Sequence, residues 1–282
     1  MTHTVGFPGL FDRTFTMNTE AFSFSLGSLH LSVKWYGVII AFGFALAVLY
    51  ASRRAKDFGT NSDELIDFLL WALPLSIVGA RLYFVFNKWD YYGQHPGDIV
   101  KIWEGGLAIY GGVIAAFLTA FVFCRVRKIS PFGLMDVGSL GLLIGQLVGR
   151  WANFVNAEAY GSETALPWGM AIDGGAPVHP TFLYESLWNL LGFVLLHFYS
   201  KKKRAFAGEI ALLYFTWYGF GRFFIEGLRA DSLFIGHTDI RISQALALAL
   251  FLCMGGLWLY LRLSKKYTPI HMKEETKNAD HH

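Results

Sequence analysis

Two arginines in this sequence stand where apolar segments leave little room for charge. Arg150 directly follows the apolar segment 132–149, and Arg222 lies inside the apolar segment 210–225. Ionisable residues in such segments are energetically unfavourable and usually face the protein interior or a polar cavity. A guanidinium group donates two parallel hydrogen bonds to a phosphate. If both apolar segments cross a membrane, the two arginines reach the same depth from two different helices. Together they therefore predict a site for a phosphate-bearing ligand.

Polar residues repeat at helical intervals beside both arginines. Asn153 and Asn156 follow Arg150 in steps of three, which predicts that all three share one side of a continuing helix. Steps of four, four and three place a second set on one helical face: Tyr218, Arg222, Glu226 and Arg229. Each set also has a purely structural interpretation. Arg150 can reach outward as an interfacial cap, and Arg222 can form a plain ion pair with Glu226.

The segment 103–112 contains two glycine pairs separated by four residues, Gly105–Gly106 and Gly111–Gly112. Glycine pairs permit close approach of two backbones or an irregular start of a helix. Close helix packing explains the pairs as well as a functional loop does. A loop at membrane depth is tolerated only where it is buried in protein or lines a cavity.

Other polar residues near apolar segments are weaker candidates. Arg81 and Asp67 lie inside the segment 65–86, where each either lines a cavity or lies near an interface. His179 and Glu185 stand at the start of the segment 182–200, from which both can reach the same cavity. A single histidine is more often a hydrogen-bonded structural residue than a base or a ligand.

The composition assigns the chain to the membrane. Hydrophobic residues make up 54% of the 282 residues and charged residues 16%, against about 25% charged in soluble domains. A membrane-crossing helix needs about 20 apolar residues. Three uncharged segments approach this length: 35–52, 105–124 and 242–261. Four further segments are more polar or shorter: 65–86, 132–149, 182–200 and 210–225. The sequence predicts an all-α integral membrane protein, one transmembrane domain over residues 1–282 with about seven transmembrane helices.

Clusters of lysine and arginine follow every second apolar segment. They occur within residues 53–56, 125–128, 201–204 and 262–266, and such clusters are retained on the cytoplasmic side. The pattern predicts an N-terminus outside, a cytoplasmic C-terminus, and outer-side loops with a central polar cavity. Residues 1–32 are predicted as an outer N-terminal segment without a removable signal peptide. Residues 267–282 are predicted as a disordered cytoplasmic tail.

Composition and motifs also exclude several protein classes. A net charge of +3, with basic residues in short clusters, argues against a nucleic-acid-binding module. Cys124 and Cys253 lie in apolar segments, which favours packing over a disulfide or a cysteine zinc site. The sequence contains neither G-x-S-x-G nor H-E-x-x-H, the motifs of serine and zinc proteases. We expect no metal and no organic cofactor.

Three sequence blocks together resemble the prolipoprotein diacylglyceryl transferases: residues 104–112, residues 149–158 with Gly161, and residues 218–222. Residues 35–37 and 179–185 resemble the same family. The resemblance implies transfer of the diacylglyceryl group from phosphatidylglycerol to the lipobox cysteine of a bacterial preprolipoprotein, with release of glycerol phosphate. It implies a protein of the bacterial inner membrane whose active site lies near the outer leaflet. The expected partners are phosphatidylglycerol, preprolipoprotein signal peptides and the bilayer, and no nucleic acid.

The resemblance also assigns residues. Positions essential in the family correspond here to six residues: Arg150, Asn153, Glu158, Gly161, Tyr218 and Arg222. Tyr36 matches a further tyrosine of the family. One position departs from the pattern, because many members have a histidine between the glycine pairs where this chain has Tyr110. Tyrosine, with an ordinary pKa near ~10, is a poor base at neutral pH unless nearby arginines lower that pKa.

These assignments predict a division of roles. We expect Arg150 and Arg222 to bind the phosphate and to stabilise charge on the leaving oxygen. Glu158 and Glu226 can each orient an arginine or accept the thiol proton, and the sequence leaves this choice open. The predicted catalytic set is Arg150, Arg222, Glu158, Tyr218, Tyr110 and Glu226. The other predicted substrate-binding residues are Tyr36, Arg81, Gly105, Gly106, Asn153, Asn156, Gly161, His179 and Arg229. The alternative is a protein that binds or transports an anionic lipid with the same arginines.

Overall fold

A computed structural model of the chain describes residues 2–26, 29–230, 234, 238, 240–267 and 269–270. Residues 268 and 271–282, which belong to the tail with predicted disorder, lie outside the described residues. The chain divides into two compact units, one comprising Met1–Tyr50 with Met135–His282 and the other comprising Ala51–Leu134.

Long helices coincide with all of the predicted apolar segments. Their bounds are α1 Trp35–Arg54, α2 Ser62–Asn87, the short α3 Trp89–Tyr92, α4 Ile109–Arg127, α5 Pro131–Val155, α6 Thr181–Lys202, α7 Glu209–Leu228 and α8 Ile242–Ser264. Among the described residues, five helices are long and apolar enough to cross a membrane: α1, α2, α4, α5 and α8. The chain is therefore a mostly helical, multi-pass membrane protein. That α6 and α7 also cross the membrane, and that the N-terminus lies on the outer side, remain predictions.

In the unit Ala51–Leu134, α2 and α4 pack through small residues. The start of α2 is a capping box, in which Asn61 accepts from the Glu64 amide at 2.8 Å and Glu64 accepts from the Asn61 amide at 3.1 Å. A Cβ atom added at Gly79 would come within 2.7 Å of the Gly111 carbonyl oxygen, so the two backbones nearly touch. Asp67, a candidate for lining a cavity, instead forms an ion pair with Arg127 of α4.

In the other unit, α6 and α7 are joined by a pair of tryptophans. The rings of Trp188 and Trp217 stack with centroids 4.1 Å apart. Each indole N–H donates to the other residue's carbonyl oxygen at 3.1 Å. Glycines make room for this pair, since a Cβ atom at Gly221 would overlap the Trp188 ring and lie 2.6 Å from its Cε2 atom. The stacked tryptophan pair fixes the rotation of α7 about its axis, and hence the direction of its polar face.

A buried carboxylate binds the N-terminal end of α7. Asp136 of α5 is fully buried and accepts hydrogen bonds from the Gly208 and Ala211 amides at 2.8 and 2.9 Å. It also pairs with Arg204 at 3.1 Å. A negative charge at a helix N-terminus is favourable because the unpaired amides there carry partial positive charge. Asp136 therefore ties α5 to the beginning of α7.

Five short strands accompany the helices in the described part of the chain, although the sequence predicts only an outer segment at residues 1–32. Their bounds are β1 Thr2–Phe7, β2 Phe11–Asn18, β3 Glu20–Leu26, β4 Leu29–Lys34 and β5 Ala171–Ile172. They form an antiparallel sheet in the order β2-β1-β5 and a separate β3-β4 hairpin. Buried Val5 packs with Met170 and Phe182 beneath the sheet. The sheet thus covers the loop between α5 and α6.

Candidate active site

The two arginines singled out in the sequence converge on one carboxylate. Arg150 lies five residues before the end of α5, Arg222 lies on α7, and Glu185 lies in the second turn of α6. Glu185 Oε2 is 2.5 Å from Arg150 Nη2, and Glu185 Oε1 is 2.8 Å from Arg222 Nη1. Glu185 is only 5% exposed. A single buried side chain therefore holds two guanidinium groups side by side.

A second carboxylate and a third arginine complete what we call the arginine cluster: Arg150, Arg222, Arg229, Glu185 and Glu226. Glu226 pairs with Arg222 one turn earlier on α7. Arg229 Nη1 lies 4.0 Å from Glu185 Oε1, and its Nε lies 4.0 Å from Glu226 Oε2. Three guanidinium groups face two carboxylates, which leaves a surplus of one positive charge within the cluster. This surplus favours a singly charged anion.

The cluster borders a small cavity. It is lined by Glu185, Trp188, Asn189, Tyr218, Arg222 and Ile225 and has a volume of about 10 Å³. That volume holds about one water molecule, so a lipid headgroup does not fit inside it. The Arg150 side chain is 23% exposed, against 14% for Arg222. Arg150 is therefore the more accessible of the two cations.

A chain of hydrogen bonds leads from Arg150 to Glu158. Arg150 Nη1 donates to Asn153 Oδ1 at 3.4 Å, and Asn153 Nδ2 donates to Glu158 Oε1 at 2.9 Å. The helix ends at Val155, so the predicted continuing helix includes Asn153 but stops just before Asn156. Positive φ angles at residues 157 and 159 turn the backbone away, and this turn returns the exposed Glu158 to Asn153.

Gly161 and His179 form the adjoining loop contact. The Gly161 amide donates to the His179 carbonyl oxygen at 2.9 Å, and Gly161 forms a β-bridge with Arg229. A Cβ atom at Gly161 would lie 2.6 Å from His179 Cβ and 2.8 Å from the Leu228 carbonyl oxygen, so only glycine fits. The imidazole Nδ1 lies 3.2 Å from the Tyr184 hydroxyl. These contacts hold the loop against the end of α7, next to Arg229.

Within the unit Ala51–Leu134, the predicted residues Arg81, Gly105 and Gly106 lie in contact with one another. Arg81 of α2 is 6% exposed, and its N–H groups donate to five backbone carbonyl oxygens at 2.6–3.4 Å: those of Asp98, Ile99, Lys101, Gly105 and Gly106. A guanidinium group has five N–H donors. Direct binding of substrate by Arg81 would therefore require release of a carbonyl, and the geometry gives Arg81 the task of positioning the glycine loop.

The glycine loop also explains where α4 begins. Gly105 and Gly106 have φ angles of +91° and +73°, which turn their carbonyls toward Arg81. The apolar segment predicted from residue 105 therefore becomes helical only at Ile109. Tyr110 follows as the second helical residue and is 44% exposed. Tyr36, the second residue of α1 in the other unit, is 38% exposed.

Glu185 is the site residue whose role sequence reasoning missed. It was expected only to reach a cavity, yet it is the common partner of Arg150 and Arg222. The available signal was its position inside the block 179–185 that carries the family resemblance. A carboxylate at the start of an apolar segment also needs a cationic partner, and Arg150 and Arg222 are cations that likewise lie at or near the end of an apolar segment.

The fold and the site together define a multi-pass membrane protein with a buried arginine–carboxylate cluster. Residues 22–260 match the family model described as Prolipoprotein diacylglyceryl transferase. A phosphatidylglycerol–prolipoprotein diacylglyceryl transferase of Listeria welshimeri is 48% identical over 257 residues, which cover 87% of this chain and 91% of the relative. The enzyme of the same name from Lactobacillus acidophilus is 44% identical over 252 residues, which cover 85% and 89% of the two chains. This chain belongs to the prolipoprotein diacylglyceryl transferase family.

Proposed function

We propose that this chain transfers the diacylglyceryl group from phosphatidylglycerol to the lipobox cysteine of preprolipoproteins, the first step of bacterial lipoprotein maturation. The observation that carries the proposal is the convergence of Arg150 and Arg222 on Glu185 in a member of this family. Exposed apolar helices suit a lipid substrate that arrives from the bilayer.

The proposed reaction is a displacement at carbon. The cysteine thiolate forms a C–S bond with the carbon of the diacylglyceryl group that carries the phosphate, and the C–O bond between that carbon and the phosphate breaks. The electron pair of that bond leaves with glycerol phosphate. Phosphatidylglycerol carries one negative charge on its phosphate diester, and the leaving monoester gains a second. The surplus positive charge of the arginine cluster complements this developing charge.

Arg150 and Arg222 have different roles in this scheme. Arg150 is the more exposed cation, and its guanidinium is held by Glu185 and Asn153, so it presents its free edge to the phosphate. Arg222 is held by two carboxylates and lies deeper. Its positive charge, with that of Arg229, stabilises the leaving oxygen at longer range. Asn156 supplies a further hydrogen bond to the headgroup, and Tyr218 lines the water-sized cavity beside Arg222.

We assign acceptance of the thiol proton to Glu158 rather than to Glu226. Glu226 is buried, and its Oε2 pairs with Arg222, so protonation of that oxygen would compete with the ion pair. Glu158 is exposed and accepts from the neutral amide of Asn153. A carboxylate that faces solvent beside the phosphate site can receive a proton from an incoming thiol. Tyr110 would then act as a hydrogen-bond donor.

The membrane arrangement belongs to the same proposal. Seven helices cross the inner membrane in a single transmembrane domain, with the N-terminus outside and the site near the outer leaflet. The support is the set of basic clusters at residues 53–56, 125–128, 201–204 and 262–266, which follow α1, α4, α6 and α8. A lipobox cysteine then meets the site after export.

The test is a transfer assay with purified protein in nanodiscs. Phosphatidylglycerol and a lipobox peptide are incubated with the enzyme, and mass spectrometry follows the peptide. We expect a diacylglyceryl mass gain that disappears with Arg222→Ala and with a Cys→Ser peptide. Arg127→Ala removes an ion-paired arginine outside the arginine cluster and is the matched control that keeps activity. Lipid binding without mass gain, in folded protein, would contradict the proposal and favour a binding or transport protein.

A further inference from the structure

The β3-β4 hairpin has one apolar face and one polar face. Along its strands the sequence alternates, with apolar residues at 22, 24, 26, 29, 31 and 33 and polar residues at 23, 25, 30 and 32. The register places like residues opposite one another: Phe22 and Val33, Phe24 and Leu31, Ser23 and Ser32. Opposed residues of an antiparallel pair lie on the same face, and successive residues lie on opposite faces. The alternation therefore gives the hairpin one apolar face and one polar face.

Two aromatic side chains of the apolar face, Phe22 and Phe24, are not covered by the described part of the chain. Phe22 is 56% exposed and Phe24 is 48% exposed. The neighbouring sheet behaves differently, because its Val5 is fully buried against Met170 and Phe182. Adjacent exposed aromatic side chains mark an interaction surface. The hairpin thus presents a surface that needs a partner.

Continuity with α1 identifies that partner. Strand β4 ends at Lys34 and α1 begins at Trp35, with no connecting residue between them. The Trp35 amide donates to the Thr19 carbonyl oxygen at 3.0 Å, which ties the start of α1 to the start of the hairpin. Phe42, on the membrane-length helix α1, is 59% exposed, as expected for contact with lipid. Tryptophan and lysine at this junction are residue types typical of a membrane interface.

The distance between Phe24 and the start of α1 indicates how the hairpin is oriented relative to the membrane. Phe24 pairs with Leu31, four residues before α1, which places it about 13 Å from the helix at about 3.3 Å per residue. The interfacial region is only about 5–8 Å deep on each side of the hydrocarbon core. A hairpin standing upright would lift the apolar face into water. A hairpin lying flat keeps that face in contact with lipid.

We propose that the β3-β4 hairpin lies on the bilayer surface with Phe22 and Phe24 in the acyl-chain boundary and Ser23 and Ser32 toward water. The partner is the lipid bilayer itself. This contact sets the depth and tilt of the first turn of α1, which includes Tyr36. The inference needs only that α1 crosses the membrane, so it does not depend on the proposed transferase reaction.

Spin labelling of the full chain in nanodiscs tests the depth of each face. In a Cys124→Ala, Cys253→Ala background, single cysteines are placed by Phe22→Cys and Phe24→Cys, with Ser23→Cys and Ser32→Cys as matched controls. Power saturation compares accessibility to oxygen, which concentrates in lipid, with accessibility to a water-soluble nickel chelate. We expect oxygen accessibility to exceed nickel accessibility several-fold at 22 and 24, and the reverse at 23 and 32.

Two outcomes would overturn the inference. Nickel-dominated accessibility at all four positions would place the hairpin in water, and low accessibility to both reagents at 22 and 24 would show that protein covers the face. A second measurement avoids the cysteine-free background. p-Benzoylphenylalanine replaces Phe22 in the otherwise native chain, and irradiation in nanodiscs should give lipid adducts by mass spectrometry. Crosslinks to a second copy of the chain, without lipid adducts, would contradict the proposal.

Discussion

Replacing Glu185 by glutamine tests whether one carboxylate organises the arginine cluster. Glu185→Gln keeps the shape of the side chain but removes its charge, so the surplus positive charge in the cluster rises from one to two. Arg150 and Arg222, at 2.5 and 2.8 Å from the carboxylate, lose their shared partner. Breaking a buried ion pair costs about 3–5 kcal/mol. The amide oxygen of glutamine still accepts one hydrogen bond. We therefore expect the free energy of unfolding to fall by about 3 kcal/mol, at the lower end of this range.

The same substitution should separate binding from catalysis. The added positive charge still attracts the phosphate, so KM for phosphatidylglycerol should stay within about threefold of the wild-type value. The displaced guanidinium groups no longer face the leaving oxygen, and loss of one aligned donor costs about 10²–10³ in rate. We therefore expect kcat to fall about 100-fold. The assay is transfer to a lipobox peptide at varied lipid fraction, together with thermal unfolding in detergent.

Glu226→Gln is the matched control for this prediction. It removes an equivalent buried carboxylate that pairs with Arg222 but not with Arg150. We expect a similar fall in Tm and a smaller fall in kcat, because Arg150 keeps Glu185. A Glu185→Gln enzyme that is folded and has a kcat within about threefold of the wild type would refute the organising role of this carboxylate.

Three further predictions concern the structure around the site. Gly161→Ala should lower Tm, because its Cβ atom would lie 2.6 Å from His179 Cβ and overpacking costs about 1–3 kcal/mol; Gly256→Ala, with nothing within 4 Å, should leave Tm unchanged or higher. Arg81→Lys keeps the charge but offers three donors for five carbonyls, so amide exchange over residues 98–106 should accelerate, and unchanged exchange would disprove the positioning role. A hydrogen bond from His3 lowers the pKa of the Asp173 carboxyl below its ordinary value of 3.8. Its contribution to stability is therefore present above about pH 4 and lost as pH falls through the lowered pKa. The protection factors of the β1 amides against hydrogen exchange, taken relative to the intrinsic rate at each pH, should therefore fall in acid, and Asp173→Asn should remove that pH dependence.

Local features of the sequence determined the helices and one part of the site. Apolar segments of membrane length are read directly from composition, and each coincides with a long helix. The pairing of Arg222 with Glu226 follows from a step of four on one helix, which brings two side chains together in any α-helix. The family was also readable from the sequence, because residues 149–158 form a specific motif.

The tertiary structure decided the contacts between distant segments. Glu185 meets Arg222 across 37 residues because the stacked tryptophans fix α6 against α7, and no periodicity in the sequence encodes that rotation. Strand β1 pairs with β5 through Val5 and Ile172, and strands this short carry too little local pattern to be predicted. The five carbonyls around Arg81 likewise depend on the path of the glycine loop. Spacing along one helix determines which side chains of that helix pair. Packing between helices determines the partner of each buried charge, because a buried charge is stable only where the fold supplies a group of opposite charge.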